Sequence, residues 1–335
     1  MNSYDCSAAQ LRPGQQLARV SASQGERGRV LIEGREIKAV VAGSAIYGAE
    51  TAAGLPVTGD WVAARLVEPE LALIEQVLPR RSRIARRAAG RRTEEQVLAA
   101  NIDLAFIVCG LDGDYNTRRL ERYLVTIHEG GVEPVIVLNK ADLCADTEAA
   151  VEDARRIAGP ARVLAISATT GLSCGEIEAL LRPGVTAVLL GSSGAGKSTL
   201  LNRIAGAELR KTAAVRESDA RGRHTTTARE LIELPCGAAL IDTPGLRELQ
   251  LWAAPESIVA VFDDVAELAA GCRFTDCSHT TEPGCAVREA IGAGRLESFH
   301  KLRREADRVS GAITEKQRWR SIHKSIRQLQ KMRGR

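Results

Sequence analysis

The sequence predicts a multidomain chain in which a small β-barrel, a doubly wound α/β domain and a mostly helical metal-binding domain follow one another. Three observations predict it. Five short β-rich runs separated by Gly fill the first eighty residues, five near-continuously apolar runs alternate with helical patterns from about residue 101 onward, and three of the eight cysteines crowd into 272–285 beside a histidine. With 335 residues, 44% of them apolar, the chain can bury two or three cores.

The barrel rests on the runs Gln16–Ser21, Gly28–Glu33, Glu36–Val41, Asp60–Leu66 and Leu71–Leu78, whose β-branched and apolar content suits strands. Five strands of this size fit an OB-fold or an SH3-like barrel. Trp61, beside Gly59-Asp60, is expected in its core. Next comes an arginine run, Arg80, Arg81, Arg83, Arg86, Arg87, Arg91 and Arg92, with no acid inside it. It leads into Thr93-Glu-Glu-Gln, which reads as a capped helical turn, so 81–100 is expected to be a linker between a barrel at 1–80 and an α/β domain at 101–248.

In that domain the runs Leu104–Cys109, Val135–Leu138, Arg162–Ile166, Val185–Leu190 and Ala238–Ile241 have the continuous apolar character of buried parallel strands. Helical patterns at Asn116–Glu129 and Asp146–Ala158 complete a doubly wound sheet, whose ligands bind at the carboxyl ends of the strands.

Those ends carry the motifs. Gly191-Ser192-Ser193-Gly194-Ala195-Gly196-Lys197-Ser198 reads G-x-x-x-x-G-K-S between a strand and the helix-compatible Thr199–Ile204. This is a P-loop: glycines let consecutive N–H groups face phosphate oxygens, Lys197 adds a point charge and Ser198 a hydroxyl for Mg²⁺. After the second run come Asn139, Lys140, Ala141 and Asp142. The Asp142 carboxylate is suited to accept from both N–H donors on guanine's edge, Asn139 to meet N7, and the Lys140 stem to lie over the base; an adenine would leave buried groups unpaired. Ser167 and Ala168 follow the third run, where a backbone N–H can meet the guanine carbonyl. Asp242-Thr-Pro-Gly245 follows the last, where an Asp can hold Mg²⁺ through water and the Gly245 N–H can sense a γ-phosphate.

Between P-loop and Asp242 lies Arg221-Gly-Arg-His224-Thr225-Thr226-Thr227, the expected first switch, with one threonine of Thr225, Thr226 and Thr227 expected to complete the Mg²⁺ shell. Leu246 stands where many GTPases place a glutamine, and an apolar side chain cannot orient water. His224 is then either the group that positions or deprotonates water, or a side chain that contacts a partner or nothing. The base motifs at 139 and 167 precede the P-loop at 191, so the domain is circularly permuted, which a sheet tolerates when cut and join fall in surface loops.

In 249–335, Cys272, Cys277, His279 and Cys285 form C-x₄-C-x-H-x₅-C. Three thiolates and an imidazole fill a tetrahedral shell with no open position, as one structural Zn²⁺ requires. Helical patterns flank this cluster at 257–270 and 286–309. Residues 301–335 hold twelve Lys/Arg against three acids, a surplus of nine within a net charge of +4. Their last segment places Trp319, Ile322, Ile326 and Leu329 at helical spacing on a basic amphipathic helix. Two separate basic clusters favour a nucleic-acid phosphate backbone as partner. No run of about 18 apolar residues is present and the N-terminus lacks a basic region followed by an apolar one, so no membrane span or secretory signal is expected and a cytoplasmic location is. Cys6, Cys109, Cys144, Cys174 and Cys236 are scattered, unlike a disulfide framework.

These motifs, in this order and with this cysteine spacing, resemble the RsgA (YjeQ/YloQ) family of ribosome small subunit-dependent GTPases over essentially the whole chain. The resemblance implies an N-terminal OB-fold β-barrel, a central circularly permuted P-loop α/β GTPase domain and a C-terminal mostly helical zinc-binding domain. It implies GTP hydrolysis to GDP, stimulated by the 30S ribosomal subunit during late subunit maturation, with contacts to 16S rRNA. The family's switch histidine falls on His224. GTP with Mg²⁺, one Zn²⁺ and a monomer that engages no membrane are therefore expected. Two other classes stay open: an RNA-binding module whose GTPase reports nucleotide state, and a GTPase acting on a protein or membrane partner through the basic tail.

Overall fold

The structure, a computed structural model, describes residues 11–49, 51–88, 94–206, 229–242 and 250–333, with side chains described to residue 314. The N-terminal strands are β1 (Gln16–Gln24), β2 (Arg27–Ile32), β3 (Arg35–Val41), β4 (Trp61–Glu68) and β5 (Leu71–Val77), with the short helix α1 (Gly43–Gly48) between β3 and β4. They close in the order β1-β2-β3-β5-β4 and back to β1. All neighbours are antiparallel except β3 and β5, which run parallel. That closure is an OB-fold, which settles the choice against an SH3-like barrel. Inward residues, among them Val20, Val30, Ile37, Val62 and Ile74, fill the barrel. Trp61 is buried as expected, with the Arg19 guanidinium 5.2 Å from its ring centroid.

Residues expected to form a linker instead make a two-stranded sheet, β6 (Arg83–Arg87) paired with β7 (Glu95–Ala100). The expected helical turn gives way because Val97, Leu98, Ala99 and Ala100 are all buried, and Ile84, Leu98 and Ala99 join the α/β core. Tertiary burial outweighs a local capping signal. The arginine run is also less free than its sequence reads. Arg80 binds the buried Asp60 carboxylate through both oxygens at 2.7 Å, Arg81 meets Asp103 at 3.4 Å, and Arg83 meets Glu95 at 2.6 Å. The missing acids come from elsewhere in the chain.

The α/β region contributes β8 (Leu104–Gly110), α2 (Thr117–Glu129), β9 (Glu133–Asn139), α3 (Thr147–Ala158), β10 (Arg162–Ala165), α4 (Cys174–Leu180), β11 (Thr186–Leu190), α5 (Lys197–Ala205), β12 (Arg229–Glu233) and β13 (Ala239–Asp242). Strand order is β10-β9-β8-β11-β13-β12, parallel except for β12. Successive β8 side chains alternate between two cores, Ala105, Ile107 and Cys109 in one and Leu104, Phe106 and Val108 in the other. The sheet is therefore covered on both faces, as a parallel sheet requires. The Asn116 and Asp146 side chains cap α2 and α3 by accepting from Arg119 N and Ala149 N.

β12 was not expected. It pairs on one side with β13 and on the other with β1, so barrel and α/β domain share one eleven-stranded sheet. Around this seam Arg29 meets Glu230 at 2.8 Å and the Thr58 hydroxyl donates to the Arg229 carbonyl at 3.0 Å.

The C-terminal helices are α6 (Pro255–Val261), α7 (Asp263–Ala269), α8 (Ala286–Ala290) and α9 (Ala293–Arg333). The single helix expected over 257–270 is broken at Phe262, whose fully buried ring packs 5.5 Å from that of Phe299 and 4.5 Å from the Arg295 guanidinium. That over 286–309 breaks between Ala290 and Ala293, around Gly292. This domain docks on α2: Arg122 holds Glu305 through two bonds of 2.6 and 2.8 Å, and Arg295 reaches the buried Glu121 at 3.0 Å. Among the described residues no helix is long and apolar enough to cross a membrane.

Candidate functional site

The carboxyl ends of β8, β9, β11 and β13, with the loop after β10, lie along one edge of the sheet, and most of the expected site residues are there. Asn139, the last residue of β9, is 2% exposed. Its Nδ2 donates to the Ala195 carbonyl at 2.8 Å, and its Oδ1 accepts from the Ala168 N–H at 2.9 Å. One carboxamide thus fastens the P-loop to the Ser167-Ala168 loop. The two distant stretches 139–142 and 191–198 converge, as the motif reading requires.

The P-loop takes the backbone its glycines allow, with φ of 138° at Gly191, 88° at Gly194 and 93° at Gly196. Two of these also make close approaches. A Cβ on Gly191 would lie 2.2 Å from the Val108 carbonyl oxygen, and one on Gly196 would lie 2.1 Å from Asn139 Nδ2. Lys197 opens α5, and its ammonium donates to the Gly191 carbonyl at 2.9 Å and to that of Ser192. Ser198 and Thr199 follow in the first turn of α5, with Ser193, Gly194, Ala195 and Gly196 curling before it. The N-terminus of α5 therefore faces the loop.

On the base side, Lys140 sits in the left-handed region at φ 65°, turning the chain into a single 3₁₀ turn, Ala141–Leu143, so that Ala141 N bonds the Ile166 carbonyl at 3.0 Å. Asp142 is exposed in that turn. The Ser167 hydroxyl accepts from Thr170 N at 3.1 Å, fixing the loop that holds Ala168. Asp242 ends β13, in register with Leu189 of β11 and Glu230 of β12. His224, Thr225, Thr226 and Gly245 lie outside the described residues.

Three contributors escaped the sequence reading. Asp112, in the loop after β8, pairs with the Lys140 ammonium, a bond that holds the Asp112 carboxyl below its ordinary pKa. Asp114, in the same loop, accepts from the Ser192 hydroxyl and from Arg119. Arg203 of α5 donates to the Ala168 and Thr169 carbonyls at 2.6 and 2.7 Å. Gly110-Leu-Asp-Gly-Asp114 at the end of a parallel strand was a legible pointer to the first two; nothing in the sequence singles out Arg203.

The expected metal ligands also come together. The donor atoms of Cys272, Cys277, His279 and Cys285 all lie within 4.8 Å of one another. Cys272 Sγ is 3.6 Å from His279 Nδ1 and 3.9 Å from Cys285 Sγ, and Cys285 Sγ is 3.5 Å from the same nitrogen. A tetrahedral ion with metal–sulfur bonds of about 2.3 Å and metal–nitrogen bonds of about 2.0 Å needs edges of about 3.8 and 3.5 Å, which these distances match. His279 adopts φ 60° and is 7% exposed, and its carbonyl lies 3.2 Å from His300 Nε2. Glu282 ties the loop together by accepting from the Ser278, Thr280 and Thr281 amides. The residues present fit a bound metal ion.

Fold and site together define a P-loop GTPase domain of circularly permuted order, preceded by an OB-fold and followed by a domain with a Cys₃His cluster. The profile of the family described as RsgA GTPase matches residues 77–252, and that of the family described as 50S ribosome-binding GTPase matches 186–333. The small ribosomal subunit biogenesis GTPase RsgA of Opitutus terrae is 47% identical over 328 residues, covering 91% of this chain and 89% of that one. The protein of the same name from Xylella fastidiosa strain 9a5c is 52% identical over 255 residues, 74% of this chain and 73% of its own. The crystal structure of YjeQ from Thermotoga maritima superposes with a TM-score of 0.64 at 26% identity, covering 87% of this chain and 98% of that one. That of YloQ gives 0.60 at 22% identity, a likeness of fold. The chain belongs to the RsgA GTPase family and is a GTP hydrolase.

Proposed function

We propose that this GTPase acts in small-subunit biogenesis, binding the 30S ribosomal subunit and 16S rRNA late in maturation and hydrolysing GTP to GDP and phosphate under the subunit's stimulation. The names of the relatives support the biogenesis role. The observation that carries the nucleotide site is the Asn139 carboxamide bonded to both the P-loop and the Ser167-Ala168 loop. A bracket of that kind holds the base-side and phosphate-side loops at one fixed separation, which positions a purine nucleotide before it binds.

Asp142 selects guanine by accepting from its N–H edge, Asn139 spends its remaining amide hydrogen on N7, and Lys140, Ala141, Ser167 and Ala168 line the base. Gly191 through Thr199 take the phosphates. Lys197 neutralises the charge that develops on the transferred phosphoryl group. Ser198, one of Thr225, Thr226 and Thr227, and Asp242 would hold Mg²⁺, which would supply Lewis-acid polarisation of the phosphate oxygens. Gly245 senses the γ-phosphate. His224 positions water; with Leu246 unable to do so, turnover without a partner is slow.

The metal of the Cys₃His cluster would be structural Zn²⁺, tying Cys272, Cys277 and His279 of the loop to Cys285 at the N-terminus of α8. The RNA-facing charge lies chiefly on the C-terminal domain, including Lys301, Arg303, Arg304 and Arg308 of α9, since several arginines of 80–87 already hold carboxylates. The functional units are 1–80, 101–248 with the β6–β7 sheet packed into its core, and 249–335; a monomer in the cytoplasm fits this role.

A second reading has one observation in its favour, the match of residues 186–333 to the 50S ribosome-binding GTPase family. GTP turnover with purified 30S and 50S particles separates them. Stimulation by 30S alone, falling steeply with salt, supports the proposal. Stimulation by 50S alone supports the second reading, and equal stimulation by both means non-specific RNA contact.

A further inference from the structure

The loop between β8 and α2 holds two carboxylates that no motif of the GTPase domain calls for, and one of them reaches the P-loop. We propose that Asp114 is a positioning residue for the phosphate loop, acting through the Ser192 hydroxyl. This rests on the guanine-nucleotide reading above and extends it to a residue outside the nucleotide-binding motifs.

The two carboxylate oxygens of Asp114 are divided between partners. Oδ2 accepts from Ser192 Oγ, while Oδ1 accepts from Arg119 Nη2 at 2.8 Å, and the same guanidinium reaches the Asp114 carbonyl. The pair is partly buried, with side chains 25% and 30% exposed, so water screens it less than a surface pair. Arg119 is itself a fixed anchor. Its backbone N–H is capped by Asn116 Oδ1 at 3.0 Å, and its helix is pinned to the C-terminal domain by Arg122–Glu305 and Glu121–Arg295. Ser192 is the second residue of the P-loop, directly after Gly191, and the carbonyls of both hold the Lys197 ammonium. Asp114 therefore fixes the loop at the point where the lysine is aimed, and charge-assisted bonds of this kind are the stronger ones. Asp112 two residues earlier holds Lys140, so the same loop steadies both ends of the nucleotide site.

The test is a double-mutant cycle read by binding of GDP and a GTP analogue and by steady-state turnover. Asp114→Ala and Ser192→Ala are each expected to weaken nucleotide binding about tenfold, the loss of one charge-assisted bond. KM should rise with kcat within about twofold, since the loop holds ground and transition state alike. The double variant should also lose about tenfold, because the second change removes nothing that remains. Asp114→Asn keeps one neutral acceptor, which cannot serve Ser192 and Arg119 together, so its affinity should fall between wild type and Asp114→Ala. Losses that multiply to about a hundredfold would show Asp114 acting only by stabilising α2 and would overturn the proposal, as would unchanged affinity in both single variants. If Asp114→Ala does not fold, Ser192→Ala and Asp114→Asn still decide: affinity unchanged in Ser192→Ala sinks the idea. Wild-type protein that binds no guanine nucleotide would overturn the underlying reading as well, whereas tight wild-type binding with insensitive variants overturns this proposal alone.

Discussion

Replacing Asn139 by alanine should destabilise the protein even when no nucleotide is present. The side chain is 2% exposed, and its loss leaves the Ala195 carbonyl and the Ala168 N–H, in residues 0% and 2% exposed, without their partner. Each orphaned buried group costs about 1–3 kcal/mol, so the pair amounts to roughly 2–6 kcal/mol, with the lower end applying where water enters the gap. For a domain of this size about 1 kcal/mol shifts Tm by roughly 2–4 °C, and the smallest consistent shift is about 4 °C.

Thermal unfolding of the nucleotide-free protein, followed by far-UV circular dichroism, measures it. Asn139→Asp adds a control. It can still accept from Ala168 N–H, but it turns an acceptor toward the Ala195 carbonyl, so it should be no more stable than Asn139→Ala. A residue present only to touch a base would leave the nucleotide-free Tm where it was. A shift clearly under about 4 °C in Asn139→Ala would refute the bracket, whatever happened to nucleotide affinity.

Three further outcomes follow from other contacts. Gly196→Ala meets both a φ of 93° and a Cβ 2.1 Å from Asn139 Nδ2, whereas Gly194→Ala meets a φ of 88° with nothing within 4 Å; calorimetric titration should find GDP binding abolished in the first and weakened only by strain, about 1–3 kcal/mol, in the second. Cys272→Ser, or a strong chelator, should release about one Zn²⁺ per chain to a chromogenic indicator and expose 250–314 to protease, because Cys272, Cys277 and Cys285 pack within the same core as Phe262 and Phe299. The Arg122 bond holds the Glu305 carboxyl below its ordinary value of 4.5, so its contribution is present above that pH and is lost as pH falls through the lower folded value; the stability gap to Glu305→Gln, about 1 kcal/mol at pH 7 by urea unfolding, should close as the acid range is entered.

The candidate nucleotide site was legible because its parts are local. A glycine-rich turn, a lysine and a strand end can be read off eight residues, and Asn139 stands at a strand terminus where a parallel sheet places ligands. The same holds for the cysteines, whose spacing already encodes the turns that bring their donor atoms together with that of His279. What could not be read depends on partners far away in sequence. Arg80 looked free until Asp60 closed on it, and in place of the expected helical turn a strand runs from Glu95, with Val97 through Ala100 in a core; Thr93, its expected cap, lies outside the described residues. The break at Phe262 has no Gly or Pro to announce it; a buried aromatic packing against Phe299 decides it.

Permutation keeps the motifs together for a reason visible in the sheet. β8, β9, β10, β11 and β13 are parallel, so every motif at a carboxyl end falls on one edge whichever comes first in the chain. β12 is the exception that makes the arrangement useful. Running antiparallel, it brings its first residues, Arg229 and Glu230, to that same edge: Glu230 pairs with Asp242 on one side and with Ala22 of the barrel on the other. The strand that follows the segment 221–227 is thus hydrogen-bonded at once to the strand ending in Asp242 and to the OB-fold. A displacement of Arg229 must break ladder bonds to one neighbour or carry the barrel with it, because a sheet transmits movement across its strands as a packed body does, in discrete rearrangements.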